Sequence, residues 1–247
     1  MRKFLVLLWF LLPLPVVVLH FGRGQQWLAR DQAHAFVKQA QIAEQREDWQ
    51  QADQLYRDAA KCVTTESRDL KLRLDLAQVR TRYRMGDAVA AIDMADKLLD
   101  DPAMATMPAG FHRESRELAG RIHYYAGWVM RLEGASRELW MEEAELSRQN
   151  FRLLAEQSAA QGVNDYSGKQ QENLESAVQL QRLSLSELMA RPLPKEGQCM
   201  GGQGLSEQMG MRRGQRGKGR KPGIGESESG DPDKGAGTQR FEPGAGS

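Results

Sequence analysis

The segment from Glu47 to Ala59, EDWQQADQLYRDA, places a small-large-small series of side chains on one stripe of a helix. Ala52, Tyr56 and Ala59 follow one another at steps of four and three residues, and such steps keep side chains on one helical face. Small residues on either side of Tyr56 allow a second helix to approach closely and pack over the ring. The segment therefore predicts a helix that is closely packed against a neighbouring helix.

A second segment repeats this pattern 39 residues further along the chain. Residues 47–54, EDWQQADQ, align with residues 86–93, GDAVAAID, so that Asp48 matches Asp87 and Ala52 matches Ala91. Repeats of this length are typical of helical solenoids. The spacing resembles that of tetratricopeptide (TPR) repeats, over residues 30–102, although the TPR unit has 34 residues. The resemblance implies stacked helical hairpins that bind other proteins.

The other helical segments extend this architecture. Apolar residues recur at steps of three and four over residues 25–46, 70–86, 87–99, 111–134 and 140–162, and a last helix is predicted over residues 167–189. Residues 103–110 form a connector rich in Met, Pro and Gly. We therefore expect an all-α fold, in which a TPR-like solenoid domain occupies residues 25–195.

The N-terminal segment is the most apolar part of the chain. Arg2 and Lys3 precede eighteen almost wholly apolar residues, Phe4–Phe21, which as a helix would span ~27 Å, about the thickness of the hydrocarbon layer. A cleaved secretory signal and a buried core helix are the alternatives, but the signal needs small residues before its cleavage site, and the residues after the run offer no such pair. We predict a single-pass anchor, residues 1–24, in a bacterial inner membrane, with the N-terminus in the cytoplasm and the body outside it.

The C-terminal segment, residues 196–247, has a different composition. It holds fifteen of the 24 glycines and almost no aliphatic residues, so that it is expected to be disordered and its removal to leave the stability of the body unchanged. Its cationic residues are clustered and form a candidate site for anions, either an anionic polymer such as RNA or lipid headgroups; a solubilising tail is the alternative. The cluster comprises Arg212, Arg213, Arg216, Lys218, Arg220 and Lys221.

Catalytic, cofactor and metal motifs are not recognisable in this sequence. His112 and His123 are eleven residues apart, too far along one helix for a shared ion, and are interpreted as ordinary partly buried side chains. Two distant cysteines, Cys62 and Cys199, do not make a disulfide framework, although one bond between them in an oxidising compartment stays open. Lys and Arg (34) nearly balance Asp and Glu (33), which gives no overall field for nucleic acid. An enzyme is disfavoured.

Two functions from different classes remain. The favoured one is a non-enzymatic, membrane-tethered scaffold that binds another protein, possibly within a membrane complex; the arrangement resembles small TPR proteins that accompany membrane-bound von Willebrand factor A partners. The alternative is a membrane-tethered binder of anionic polymer or lipid that works through the basic tail. By the resemblance, protein-binding residues come from the first helix of each hairpin, and the candidates are Gln39, Arg46, Arg73, Arg80, Arg84, Arg116 and Arg121.

Overall fold

The computed structural model describes residues 23–63, 67–161, 164–191 and 204–211. These ranges contain nine α-helices and one short 3-10 helix, Pro102–Thr106. The α-helices are α1 (Arg23–Gln45), α2 (Trp49–Cys62), α3 (Arg68–Arg84), α4 (Ala88–Leu99), α5 (Ala109–Leu132), α6 (Arg137–Gln161), α7 (Asn164–Arg182), α8 (Leu185–Met189) and α9 (205–211).

The described part of the chain consists of helices and the turns between them, without strands, which confirms the expected all-α class. The helices have a helical-hairpin arrangement in which each helix from α1 to α6 packs against the next one in the chain. Within the described ranges, no helix combines the length and the apolar character needed to cross a membrane. The predicted anchor segment, Phe4–Phe21, lies outside the described residues.

The turns before α2 and α4 have the same geometry. Glu47 and Gly86 both adopt positive φ angles, of 58° and 87°. The residues that follow, Asp48 and Asp87, are N-caps, and each carboxylate accepts a hydrogen bond from the backbone N–H three residues later. The 39-residue repeat seen in the sequence is therefore present in the backbone, because one capping device begins the second helix of each of the first two hairpins.

Small residues lie where the first helices approach one another. Ala40 and Ala43 of α1 and Ala52 of α2 are buried together with Tyr56, and α3 adds Leu74 to the same cluster. A larger apolar cluster continues from α3 through α6 and includes Met104 and Met107 of the connector. The connector thus contributes to the core rather than only linking two hairpins.

A buried cluster of charged side chains joins α4, α5 and α6. The side chain of His123 is 1% exposed, and its Nδ1 lies 2.6 Å from Oε2 of Glu143 while its Nε2 lies 3.2 Å from Oδ1 of Asp96. Burial alone would lower the pKa of His123, but the hydrogen bonds and negative charges of Asp96 and Glu143 raise this pKa to about 9. His123 is therefore a buried imidazolium held between two carboxylates, which differs from the partly buried histidine expected from the sequence.

A second buried carboxylate ties α2 to α3. Asp53 is 2% exposed, and the guanidinium of Arg82 meets it twice, with Nε 3.2 Å from Oδ1 and Nη2 3.1 Å from Oδ2. Arg57 adds an ion pair at 3.1 Å. Arg82 also reaches Asp87 at 3.0 Å, and so connects the buried carboxylate to the N-cap of α4.

The predicted helix over residues 167–189 is interrupted. It begins at Asn164, ends at Arg182, and is followed by the short helix α8, for which Ser184 and Glu187 form a reciprocal capping box. Arg131, at the end of α5, donates hydrogen bonds to the carbonyl oxygens of Leu180 and Leu183. These contacts satisfy carbonyl groups at the end of α7 and allow the chain to turn there.

The expectation of disorder from residue 196 onward is wrong for residues 204–211. Here α9 packs on the body, with Leu205 and Met209 buried in the larger apolar cluster. The carboxylate of Glu133 accepts hydrogen bonds from the backbone N–H groups of Gly204, Leu205 and Ser206 at 3.1, 3.2 and 2.7 Å. Two apolar anchors and a side-chain cap thus order a short glycine-flanked segment. Residues 192–203 and 212–247 lie outside the described residues.

Candidate functional site

A groove of about 330 Å³ opens along the first helices of the three hairpins, α1, α3 and α5. Its floor is apolar and its rim carries charged and polar side chains. Twelve of its thirteen lining residues come from these helices and one from α2: His34, Val37, Gln41 and Glu44; Leu70, Arg73, Leu74, Leu76, Ala77 and Arg80; Phe111 and Glu114; and Tyr56 of α2. A volume of this size accommodates one or two side chains of a bound segment.

Arg80 lies at the centre of the charged rim. Its guanidinium is 3.0 Å from the carboxylate of Glu114 on α5 and 3.8 Å from that of Glu44 on α1. One side chain of α3 thus connects the helices on both sides of the groove. Because both carboxylates pair with Arg80, its charge is less available to a ligand than that of an arginine without such partners.

Arg73 lies on the same face of α3, seven residues before Arg80. Its guanidinium lies 5.6 Å from the centre of the Phe111 ring, a cation–π contact that leaves its edge N–H groups available. Among the described residues, Arg73 forms no ion pair. It is therefore the rim cation best placed to meet an acidic group of a ligand.

Tyr56 closes the bottom of the groove between α1 and α3. Burial and, after it, the negative charge of Glu44 raise its pKa to about 12, although the charge of Arg80 opposes them. The phenol therefore keeps its proton throughout the physiological range. Its hydroxyl donates to the carboxylate of Glu44 and does not act as a base.

A smaller cavity of about 90 Å³ continues the groove between α3 and α5. Arg84 of α3 and Arg121 of α5 lie at its wall, and Arg80 and Glu114 are shared with the larger groove. The guanidinium of Arg84 lies 5.6 Å from the centre of the Trp49 ring. The two cavities form one continuous concave strip with alternating arginine and glutamate side chains.

The structure brings four of the predicted protein-binding residues to this strip and leaves the others outside it. Arg73, Arg80, Arg84 and Arg121 line the two cavities. Arg46 is exposed at the α1–α2 turn, and Gln39 is exposed elsewhere on α1. Arg116 lies 3.5 Å from Oδ1 of Asn150, and therefore faces α6.

The predicted anion-binding cluster lies outside the described residues. It comprises Arg212, Arg213, Arg216, Lys218, Arg220 and Lys221. Within the described ranges, no group of three or more His, Cys, Asp or Glu side chains is placed to hold a metal ion.

Sequence reasoning missed the acidic and aromatic members of the strip. Glu44, Glu114 and Phe111 line the groove but are not among the residues predicted from the sequence. A signal was present for Glu44, which lies seven residues after Val37 and ten after His34 and so shares their face of α1. No sequence signal pairs Glu114 with Arg80, because they are 34 residues apart and meet only when α5 packs beside α3.

Comparison with protein-family models, with curated proteins and with solved structures gives no match to this chain.

Proposed function

We propose that this chain is a non-enzymatic, membrane-tethered scaffold that binds a segment of another protein along the concave strip of α1, α3 and α5. The observation that carries this proposal is the lining of the groove. Successive first helices of three hairpins supply an apolar floor and a rim in which Arg73 has no carboxylate partner among the described residues. A peptide with apolar side chains and a nearby carboxylate complements such a surface.

The proposal includes the TPR-like character of the hairpins. Equivalent N-caps at Asp48 and Asp87, and fully buried small residues at Ala52 and Ala91, support a repeated unit with close helix contacts. In TPR-like stacks the first helices of the hairpins line the binding surface, and here α1, α3 and α5 do so. The proposed partner belongs to a membrane complex, and a von Willebrand factor A partner follows from the resemblance alone.

The chemistry of the strip favours binding over catalysis. Glu44 and Glu114 both face Arg80, and the phenol of Tyr56 has its pKa raised to about 12. Paired charges and a protonated phenol orient a ligand but do not provide a poised general base.

A photo-crosslinking amino acid at Gln41, an exposed lining position, tests the proposal in intact membranes. We expect a crosslinked partner protein, and we expect Arg73→Glu to abolish the crosslink, since the new carboxylate repels the acidic group of the ligand. Arg152→Glu is the matched control, because Arg152 is an exposed residue of α6 whose ion pair in the described part of the chain is with Glu156 of the same helix.

The outcomes separate the two candidate functions. A crosslink that survives Arg73→Glu but disappears from a chain that ends at residue 211 would favour the basic tail as the binding element. A crosslink that survives both changes would place the partner elsewhere on the body and overturn the groove.

A further inference from the structure

The helix α1 extends beyond its hairpin partner. It has 23 residues and α2 has 14, and the two meet at the short turn between Gln45 and Trp49. The nine additional residues correspond to ~14 Å of helix at the N-terminal end of α1. From residue 27 onward, where side chains are described, the first buried side chain of α1 is that of Ala33, and residues 27–32 are exposed apart from the half-buried Ala29. We call residues 23–32 the α1 extension.

The α1 extension exposes two large apolar side chains. Trp27 is 66% exposed and Leu28 is 56% exposed. In the sequence they follow the apolar run Phe4–Phe21 by only a few residues. Tryptophan is enriched where membrane-spanning segments meet the headgroup layer, because its ring is apolar and its indole N–H binds polar groups there.

We propose that the α1 extension lies in the interface of a lipid bilayer, with Trp27 and Leu28 inserted at the level of the headgroups. The proposal rests on the membrane tether of the proposed function. Trp27, Arg30 and His34 are three and four residues apart and share one helical face. Arg30 on this face is within reach of headgroup phosphates, since a long cationic side chain extends towards the polar layer. Asp31, four residues after Trp27, lies on the same face and offsets the charge of Arg30, so that insertion of Trp27 and Leu28 at headgroup level, rather than attraction to anionic lipid, supplies the binding.

This placement brings the groove close to the membrane. His34 is the first groove residue on α1 and lies seven residues beyond Trp27, ~10 Å along the helix axis. The segment that occupies the groove is then a juxtamembrane segment of its protein. Such a partner is itself a membrane protein or is held at the membrane surface.

Fluorescence quenching of the full chain in vesicles tests this inference. The chain carries Trp9→Phe, which removes the tryptophan of the apolar run, and is reconstituted into phosphatidylcholine vesicles whose acyl chains are brominated close to the headgroups. We expect bromine-dependent quenching that is lost when Trp27→Phe is added. Trp49→Phe is the matched control and should retain the quenching, because Trp49 lies at the opposite end of α2 from the extension.

Each outcome supports or overturns the inference. Quenching of Trp27 by aqueous iodide but not by brominated lipid would place the α1 extension in water. Protection of Trp27 from both quenchers would mean that protein covers it. Either result overturns the interfacial placement of the α1 extension. If the chain still floats with the vesicles, the membrane tether of the proposed function is not contradicted. A full chain that does not float with vesicles would overturn the tether of the proposed function, and this inference with it.

Discussion

The imidazole of His123 donates a hydrogen bond from Nδ1 to Oε2 of Glu143 over 2.6 Å, in a position that is 1% exposed. His123 belongs to α5 and Glu143 to α6, and Asp96 of α4 lies on the other side of the ring. Removing one partner of a buried ion pair leaves an uncompensated charge in a medium of low polarity. The contact with Glu143 ties the two helices of the third hairpin together, the contact with Asp96 ties them to the second hairpin, and loss of His123 is expected to affect the whole body.

His123→Leu is expected to lower the free energy of unfolding by ~3–5 kcal/mol, because the buried carboxylate of Glu143 and the half-buried carboxylate of Asp96 lose the cation between them. Urea denaturation followed by circular dichroism measures the change. His112→Gln is the control, since His112 is on the same helix but outside the cluster. If His123→Leu lowers the free energy of unfolding by no more than His112→Gln does, the cluster contributes nothing to stability.

The same cluster predicts a dependence of stability on pH. The pKa of His123 is raised from 6.5 to about 9 in the folded chain, so that the folded state binds the proton more tightly than the unfolded state. This contribution is complete below pH 6.5 and is lost as the pH rises towards 9. A double variant, His123→Gln with Glu143→Gln, keeps polar groups but removes the titrating imidazole together with its buried partner. Its stability should decline less than that of the natural chain between pH 6.5 and 9, and equal slopes would contradict the assignment.

Close packing of α2 and α4 against their neighbouring helices predicts the effect of larger side chains at Ala52 and Ala91. Ala52 and Ala91 are 0% exposed at equivalent positions of α2 and α4. Ala52→Trp or Ala91→Trp should each lower the free energy of unfolding by ~1–3 kcal/mol or more, because overpacking moves the neighbouring helix. Gln51→Trp, at the exposed position beside Ala52, is the control and should have little effect. Unchanged thermal melting of Ala52→Trp would remove the close packing on which the repeat assignment depends.

The sequence was sufficient to predict the hairpins because local rules and the core agree there. Asp48 and Asp87 are capping residues in front of amphipathic segments, and Gly86 and Gly134 adopt the positive φ angles that end a helix. Each of these signals acts within a few residues. They consequently gave the helix boundaries of the first three hairpins to within a few residues.

The elements that the sequence did not predict depend on distant partners. The break at Ser184 coincides with contacts from Arg131 to the end of α7, which are made across about fifty residues. The order of α9 depends on Glu133, more than seventy residues earlier. His123 acquires its role only when α4 and α6 place carboxylates on both sides. Composition and periodicity cannot report such contacts. For the same reason the sequence predicted arginines that line the strip but not the carboxylates of Glu44 and Glu114 beside them.

Two glycines on neighbouring helices predict opposite effects of the same substitution. A Cβ atom at Gly127 of α5 would lie 3.2 Å from the backbone N of Ala144 and from the backbone O of Trp140, and neither atom belongs to a flexible side chain. Gly127→Ala should therefore destabilise by ~1–3 kcal/mol through overpacking, despite the better helix propensity of alanine. At Gly168 of α7 nothing lies within 4 Å, so that Gly168→Ala should stabilise by ~0.5–1 kcal/mol. The unfolding temperatures of the two variants test this prediction. A higher unfolding temperature for Gly127→Ala would show that α5 and α6 can move apart without loss of stability.

The cap at Glu133 predicts that the ordered body includes residues 204–211, which lie beyond the domain end expected at residue 195. Its carboxylate accepts three backbone hydrogen bonds from residues 204–206, and hydrogen bonds to a charged group are worth ~1.5–3 kcal/mol. Glu133→Ala should speed the amide hydrogen exchange of residues 205–211 while leaving that of α2 unchanged. Glu207→Ala, an exposed position within α9, is the control.

Two truncations make the same prediction without changing the cap. A chain that ends at residue 211 should unfold at the same urea concentration as the full chain. A chain that ends at residue 203 loses the burial of Leu205 and Met209 and should unfold at a lower concentration, because each fully buried side chain of this size contributes ~1.5–3 kcal/mol. Equal stability of the two truncated chains would mean that α9 rests on the body without supporting it, and the original expectation of a dispensable segment from residue 196 onward would then hold for stability.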